Sequence, residues 1–306
     1  MLYTASVNER SHLDLGGLWV PIVTPFTSDG SVDEDSLSQL GRRLLNDGAA
    51  GLVALGTTGE PATLSLDERK RIVTLCAAEC AAANRPLMVG AGTNSTDATI
   101  HEINQLTTTS NVDAALIVVP YYTRPSAIAI VEHFEFVADV SPVPIVVYNV
   151  PYRTGRGLGE DEITRLARHP NIVGLKQAVG SLDWDTLEVL RRSPNFAVLA
   201  GDDAFIAPTV LMGGAGAITA SAHLCTAQFA KLVSAARAGE VERTRLLAAM
   251  LLPVVDAGFS EPNPAVFKGA LHQLGELETD QLRKPLTSAG PTAISQLLAA
   301  AAAIPK

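Results

Sequence analysis

The sequence predicts an α/β fold, a (β/α)8 TIM barrel with a C-terminal helical region. Short apolar runs and helical patterns alternate along the chain, at the roughly 30-residue spacing of a strand–helix unit. Each run is almost continuously apolar, as expected for a parallel strand that is covered on both faces. There are eight runs, the number that closes such a barrel, and no glycine-rich dinucleotide fingerprint favours an open doubly wound sheet.

The predicted strands are rich in Val, Ile and Leu. They are Leu18–Val23, Gly51–Leu55, Leu87–Ala91, Ala114–Val119, Pro144–Tyr148, Ile172–Lys176, Phe196–Ala200 and Gly216–Thr219. Helices fill the intervals, and one of them starts at a capping box in which Ser65 and Glu68 satisfy each other's free backbone amides. Apolar stripes at helical spacing mark two more helices: Leu37, Leu40 and Leu44, and then Leu182, Leu187 and Leu190.

Strand-like runs stop near residue 240. Three helical patterns follow, at Leu246–Val255, Pro264–Leu274 and Ala293–Ala303. We therefore divide the chain into an N-terminal tail (residues 1–15), a catalytic barrel (16–238) and a C-terminal helical region (239–306). No low-complexity linker separates the last two, so we expect the helical region to pack on the barrel.

Composition excludes several classes of protein. Of 306 residues 47% are hydrophobic, which is enough for a large buried core. The net charge of −9 disfavours nucleic acid and anionic membranes as partners. The longest apolar runs, such as Leu246–Leu252, are far shorter than the roughly 18 residues of a membrane span, and the polar first residues carry no signal-peptide core. We expect a cytoplasmic enzyme.

Cysteines and histidines do not form a recognisable metal or disulfide pattern. Cys76 and Cys80 share one helix face, but no histidine accompanies them, so buried thiols are favoured over a metal pair. Asp202 and Asp203 lack further ligands at a suitable spacing, which favours hydrogen bonding within a loop. We expect no metal and no cofactor.

Lys176 is the residue that points most directly to chemistry. It ends the apolar run Ile172–Lys176, at the rim where barrel enzymes place their active sites. Burial there would lower the pKa of the amine, and a neutral amine can form a Schiff base with a ketone. Position alone also allows a lysine whose stem is buried and whose charge reaches water.

Other polar residues follow neighbouring strands at the same rim. Tyr148 could move protons beside Lys176, or could be a core tyrosine hydrogen-bonded to a backbone carbonyl. The segment Gly56-Thr57-Thr58-Gly59 could hold a carboxylate, or could be a tight turn. Arg153 could bind a carboxylate or form a surface ion pair. The run Gly213–Gly216 could mark a phosphate site, although close packing is favoured.

Six motifs in order resemble one family. They are GTTGE (56–60), PYYxRP (120–125), YNVPxRTG (148–155), GLK (174–176), GDDA (201–204) and NPxxxK (263–268). Together they resemble the dihydrodipicolinate synthase branch of the class I aldolase family that includes N-acetylneuraminate lyase. The resemblance runs from about residue 16 to the C-terminus. It implies a barrel that assembles as a homotetramer, a dimer of dimers.

The resemblance also implies roles for individual residues. Lys176 would form the Schiff base with pyruvate, and Tyr148, Thr57 and Tyr122 would relay protons, with Tyr122 supplied by the neighbouring subunit. Thr58 would hold the carboxylate of pyruvate. Arg153 would hold the carboxylate of an aldehyde substrate, L-aspartate 4-semialdehyde. Gly201 and Ile218 would line the pyruvate pocket. The expected product is 4-hydroxy-tetrahydrodipicolinate, an intermediate of lysine and diaminopimelate biosynthesis.

The chain departs from the family pattern at several positions. Pro61 stands where serine is usual, and Gln177 stands where an acid is common. Feedback-inhibited members hold lysine with histidines and a glutamate, and the matching positions here are Leu66, Arg69 and Ala98. We therefore expect weak or absent inhibition by lysine.

Two other functions remain open at this point. The chain could be a pyruvate-dependent aldolase that acts on a 2-keto-3-deoxy sugar acid, N-acetylneuraminate or 4-hydroxy-2-oxoglutarate. It could also be a non-catalytic keto-acid sensor, although binding alone needs neither an imine nor a proton relay. The arginine at position 153 favours the synthase, because a sugar-acid lyase meets a polyol chain rather than a second carboxylate.

Overall fold

Eight parallel strands close into a barrel in sequence order, in a computed structural model that describes residues 13–108 and 110–305. The strands are β1 Gly17–Pro21, β2 Gly51–Ala54, β3 Leu87–Ala91, β4 Ala114–Val118, β5 Ile145–Asn149, β6 Ile172–Gln177, β7 Ala197–Ala200 and β8 Gly216–Ile218. The predicted barrel is confirmed, and each predicted strand is correct to within two residues at either end. Residues 1–12 of the predicted tail lie outside the described residues.

Helices connect the strands and continue beyond the last one. They are α1 Glu34–Asn46, α2 Leu66–Ala82, α3 Thr96–Thr107, α4 Ala127–Val140, α5 Pro151–Thr154, α6 Glu160–Leu166, α7 Trp184–Arg192, α8 Ile206–Leu211, α9 Thr226–Arg237, α10 Val241–Gly258, α11 Ala265–Gln273 and α12 Pro291–Ala302. The capping box at Ser65 and Glu68 is present in full. The stripe predicted from Leu182 is wrong in part, because Asp183 caps α7 and the helix buries Thr186 and Val189.

The core has two layers, which explains why the strands are apolar on both faces. Inward-facing residues from alternating strand positions fill the barrel, among them Trp19, Met88, Leu116 and Leu199. The opposite strand faces pack against the helices in a larger second layer. The barrel is therefore a packed cylinder and leaves its polar residues at the strand ends.

The barrel closes where β8 pairs with β1, and two glycines make that contact possible. A Cβ added to Gly216 would lie 2.0 Å from the carbonyl oxygen of Gly17, closer than any side chain can approach backbone. A Cβ at Gly214 would likewise press on the backbone of Thr209 in α8, which is the helix–strand packing that the sequence favoured over a phosphate site, whereas Gly213 is a turn residue with a φ of 109°.

The C-terminal helices pack on the barrel, as expected. Helix α10 lies against α8, α9 and α12, and α11 lies between α12 and the turn after β8. Helix α11 also buries Lys268, whose side chain reaches the loop after β2. No helix in the described part of the chain is both long and apolar enough to cross a membrane.

Candidate active site

Lys176 lies near the carboxyl end of β6 and is 7% exposed. Burial lowers the pKa of its amine to about 8, because an ammonium loses hydration there. The charges of Asp203 and Asp202 oppose this shift, and that of Arg153 adds to it. The amine is therefore uncharged in an appreciable fraction of molecules near neutral pH, as a nucleophile must be.

Tyr148 faces Lys176 from the neighbouring strand. The two residues are paired in the β5–β6 ladder, and the Lys176 Nζ lies 4.3 Å from the centroid of the phenol ring. Burial raises the pKa of the phenol, whereas the charge of Arg153 and a hydrogen bond with Thr57 lower it. The protonated phenol and the free amine can consequently exchange protons with a molecule bound between them.

The loop after β2 brings two threonines to the same rim. Thr57 is exposed and Thr58 is buried, and both lie in a single 3-10 turn. The Oγ1 of Thr58 accepts a hydrogen bond of 3.0 Å from Nδ2 of Asn263, so the Thr58 hydroxyl proton stays available to an incoming carboxylate. Asn263 belongs to the C-terminal helical region, which therefore takes part in building the site.

A buried ion pair that the sequence did not predict anchors this loop. Lys268 Nζ donates to Glu60 Oε1 at 2.9 Å, and both side chains are 0% exposed. The other carboxylate oxygen of Glu60 accepts a hydrogen bond from the backbone N–H of Arg283, and Glu60 itself has a left-handed φ of 55°. A signal was present in the sequence, since Lys268 is the lone charge in the apolar helix Ala265–Leu271.

Arg153 lies in α5, directly after β5. Its side chain is exposed, with the guanidinium carbon 5.3 Å from the ring centroid of Tyr152. Its charge acts on the titration of Lys176, Tyr148 and Asp202, so the guanidinium lies near these groups at the same rim of the barrel. Its guanidinium hydrogen-bonds to the Tyr152 hydroxyl, and no acidic side chain bonds to it among the described ion pairs.

Gly201 and Ile218 complete the surroundings of the lysine. A Cβ at Gly201 would lie 3.0 Å from Cγ of Lys176 and 2.9 Å from the Ala178 Cβ, so any side chain there would press on the lysine stem. Ile218 is buried in the same interior cluster as Tyr148. Tyr122, in contrast, is 87% exposed with a φ of 69° and lies outside the buried cluster around Lys176.

Hydrogen bonds and burial account for the acidic and thiol pairs. Asp202 accepts a hydrogen bond from the N–H of Gly180, and Asp203 from that of Ser221, which is the loop role that the sequence favoured. Cys76 and Cys80 are buried, and burial raises the pKa of both thiols. Within residues 13–108 and 110–305, no three His, Cys, Asp or Glu side chains converge as metal ligands would.

Comparison with known proteins gives one consistent result. The sequence profile of the Dihydrodipicolinate synthetase family matches residues 14–304. The 4-hydroxy-tetrahydrodipicolinate synthase of Methanothrix thermoacetophila is 40% identical over 88% of this chain and 90% of its own length. Synthase 2 of Clostridium acetobutylicum is 38% identical over 90% of this chain and 95% of its own.

Solved structures agree with these relatives. The dihydrodipicolinate synthase of Bacillus anthracis superposes with a TM-score of 0.90 at 30% identity, over 96% of this chain and 99% of its own. The chloride-inhibited dihydrodipicolinate synthase of Acinetobacter baumannii, solved with pyruvate, has a TM-score of 0.90 at 32% identity, over 94% and 99% of the two chains. The similarity therefore covers the barrel and the C-terminal helices alike.

Proposed function

Because this chain belongs to the Dihydrodipicolinate synthetase family, we propose that it condenses pyruvate with L-aspartate 4-semialdehyde to 4-hydroxy-tetrahydrodipicolinate. This reaction belongs to lysine and diaminopimelate biosynthesis. The observation that carries the proposal is the buried amine of Lys176 beside the phenol of Tyr148, at the rim of a barrel that matches the family over nearly its whole length.

The first half of the reaction forms an imine. The neutral amine of Lys176 attacks the ketone carbon of pyruvate, and the carbinolamine that results loses water as the phenol of Tyr148 supplies a proton. Thr57 passes protons between Tyr148 and the rim. Thr58 and the amides of its turn hold the pyruvate carboxylate, while Gly201 and Ile218 leave room for the ketone and methyl group.

The second half forms the new carbon–carbon bond. Loss of a methyl proton converts the iminium to an enamine, whose carbon attacks the aldehyde of the second substrate. Arg153 binds the carboxylate of that substrate at the mouth of the cavity, since its planar guanidinium matches two carboxylate oxygens. The amino group of the second substrate then attacks the imine carbon, so a C–N bond closes the ring while the bond to Lys176 Nζ breaks and frees the lysine for another turnover.

We also propose that the working enzyme is a homotetramer, a dimer of dimers. The ring of Tyr122 is almost wholly exposed on one chain, and the adjacent Tyr121 is 40% exposed. A second copy that covers this surface would let Tyr122 join the proton relay of its neighbour. Sedimentation velocity of wild type and of Tyr122→Asp tests the assembly.

Borohydride reduction in the presence of pyruvate tests the covalent step. Peptide mass mapping is expected to find a reduced pyruvyl adduct on Lys176, and Lys176→Met serves as the control that carries none. An adduct on another lysine, or no adduct at all, would refute the mechanism.

Turnover with L-aspartate 4-semialdehyde tests the identity of the second substrate. Arg153→Ala is expected to lose most of this activity while keeping the pyruvate adduct, and the exposed neighbour Arg156→Ala is the matched control. Equal rates for both variants, or faster turnover with a 2-keto-3-deoxy sugar acid, would support the aldolase alternative instead.

A further inference from the structure

Behind the reacting pair, on the opposite face of the same two strands, lies a buried chain of polar side chains. Asn149 and Gln177 directly follow Tyr148 and Lys176, and the two pairs are adjacent in the β5–β6 ladder. The Nδ2 of Asn149 donates to Oε1 of Gln177 at 2.9 Å, and Nε2 of Gln177 donates to Oγ1 of Thr186 at 3.0 Å. Asn149, Gln177 and Thr186 are all buried.

The direction of every hydrogen bond in this chain of polar side chains is fixed. The backbone N–H of Leu158 donates to Oδ1 of Asn149, so the other end of that amide must be the donor. Gln177 must then accept with its oxygen and donate with its nitrogen. The Thr186 hydroxyl accepts that bond and donates a hydrogen bond of its own to Oδ1 of Asp183. The same Asp183 oxygen also accepts from the backbone N–H of Thr186 at the start of α7.

We propose that Gln177 is a positioning residue for the Schiff-base reaction, and that its neutral amide holds β5, β6 and α7 together so that Lys176 stays opposite Tyr148. The inference rests on the proposed function. A carboxylate at position 177 could accept from Asn149 but could not donate to Thr186, and it would compete with Asp183 for the one Thr186 hydroxyl proton. Its buried charge would also favour the ammonium form of Lys176.

Two variants separate the hydrogen bonds from the charge. Gln177→Glu nearly preserves the shape of the side chain and adds a charge. We expect the acid limb of the pH profile of kcat/KM, and that of pyruvate trapping, to move up by roughly one pH unit. Gln177→Leu removes the bonds without a charge, and is expected to lower kcat at every pH while the limb stays in place. Gln296→Glu makes the same chemical change on the exposed face of α12 and is the matched control.

The readouts decide between positioning and a merely structural role. A uniform loss of rate in Gln177→Glu without any shift of the acid limb would overturn the charge argument, and a wild-type kcat in Gln177→Leu would overturn positioning. If Gln177→Glu does not fold, Thr186→Val breaks the same chain while position 177 stays neutral, and is expected to behave like Gln177→Leu. Failure of wild type to trap pyruvate would refute the proposed function itself, whatever these variants do.

Discussion

Lys176 and Tyr148 are direct partners across two parallel strands, with the amine 4.3 Å from the centre of the phenol ring. Strand pairing brings them together, so the geometry depends on the register of β5 against β6 and not on a mobile loop. Burial acts on both groups in the direction that keeps them neutral, since it lowers the pKa of the amine and raises that of the phenol.

Removal of the Tyr148 hydroxyl tests the proton relay. Tyr148→Phe keeps the ring that packs against Lys176, so we expect the fold and pyruvate binding to survive while kcat falls about 10²–10³-fold. Steady-state kinetics of wild type and Tyr148→Phe measure this. Equal kcat values for wild type and Tyr148→Phe would show that another group moves the proton.

The buried lysine predicts an unusual pH dependence of stability. Its pKa is about 8 in the folded protein against 10.5 for the unperturbed group. Between these values the unfolded chain binds more protons than the folded one, so the free energy of unfolding rises with pH across this window. Below pH 8 the folded protein carries the full penalty, about 3 kcal/mol.

Urea unfolding of wild type and Lys176→Met at pH 7, 8, 9 and 10 measures that penalty. Met keeps the apolar stem and cannot ionise, so we expect the variant to be more stable than wild type at pH 7 and the gap to narrow towards pH 10. All other titrating groups are the same in the two proteins, so their contributions cancel in the difference between the two free energies of unfolding. A gap that does not change with pH would mean that the amine is not desolvated.

The buried ion pair predicts a large loss of stability when one partner is removed. Lys268→Met leaves the Glu60 carboxylate buried without its cation, and the free energy of unfolding is expected to fall by about 3–5 kcal/mol. Arg245→Ala removes an exposed ion pair and is expected to cost less than about 1 kcal/mol. The double variant Glu60→Gln/Lys268→Met should recover part of the lost stability. If Lys268→Met alone lost as little stability as Arg245→Ala, the assignment of a buried ion pair would be contradicted.

Weak or absent inhibition by lysine is the remaining prediction. Arg69 is one of the residues that the sequence resemblance places at the family's lysine site, and its guanidinium bonds to Glu102 and to the carbonyl of Pro61. A bound lysine would therefore meet the Glu102 carboxylate, which is already paired, and the positive charge of Arg69 beside it. Initial rates with up to millimolar lysine measure this, and strong inhibition would refute the prediction.

The sequence predicted the barrel, the boundaries of its strands and the residues at its rim. This was possible because continuous apolar runs and strand-end polar residues are local features. The partnership of Glu60 with Lys268, 208 residues apart, could not be predicted, since only the folded chain brings α11 to the loop after β2. The same holds for the bond from Asn263 to Thr58, and for the direction of the amide chain through Gln177.

The seam between Gly17 and Gly216 links the two ends of the barrel in an unexpected way. A single methyl group at Gly216 would collide with the backbone of Gly17 and wedge the last strand away from the first. Ile218 lies two residues further along the same short strand and pairs with Trp19, so such a wedge would also displace the residue that we propose lines the pyruvate pocket. We therefore expect Gly216→Ala to open the barrel at the amino ends of its strands and to weaken pyruvate binding at their carboxyl ends.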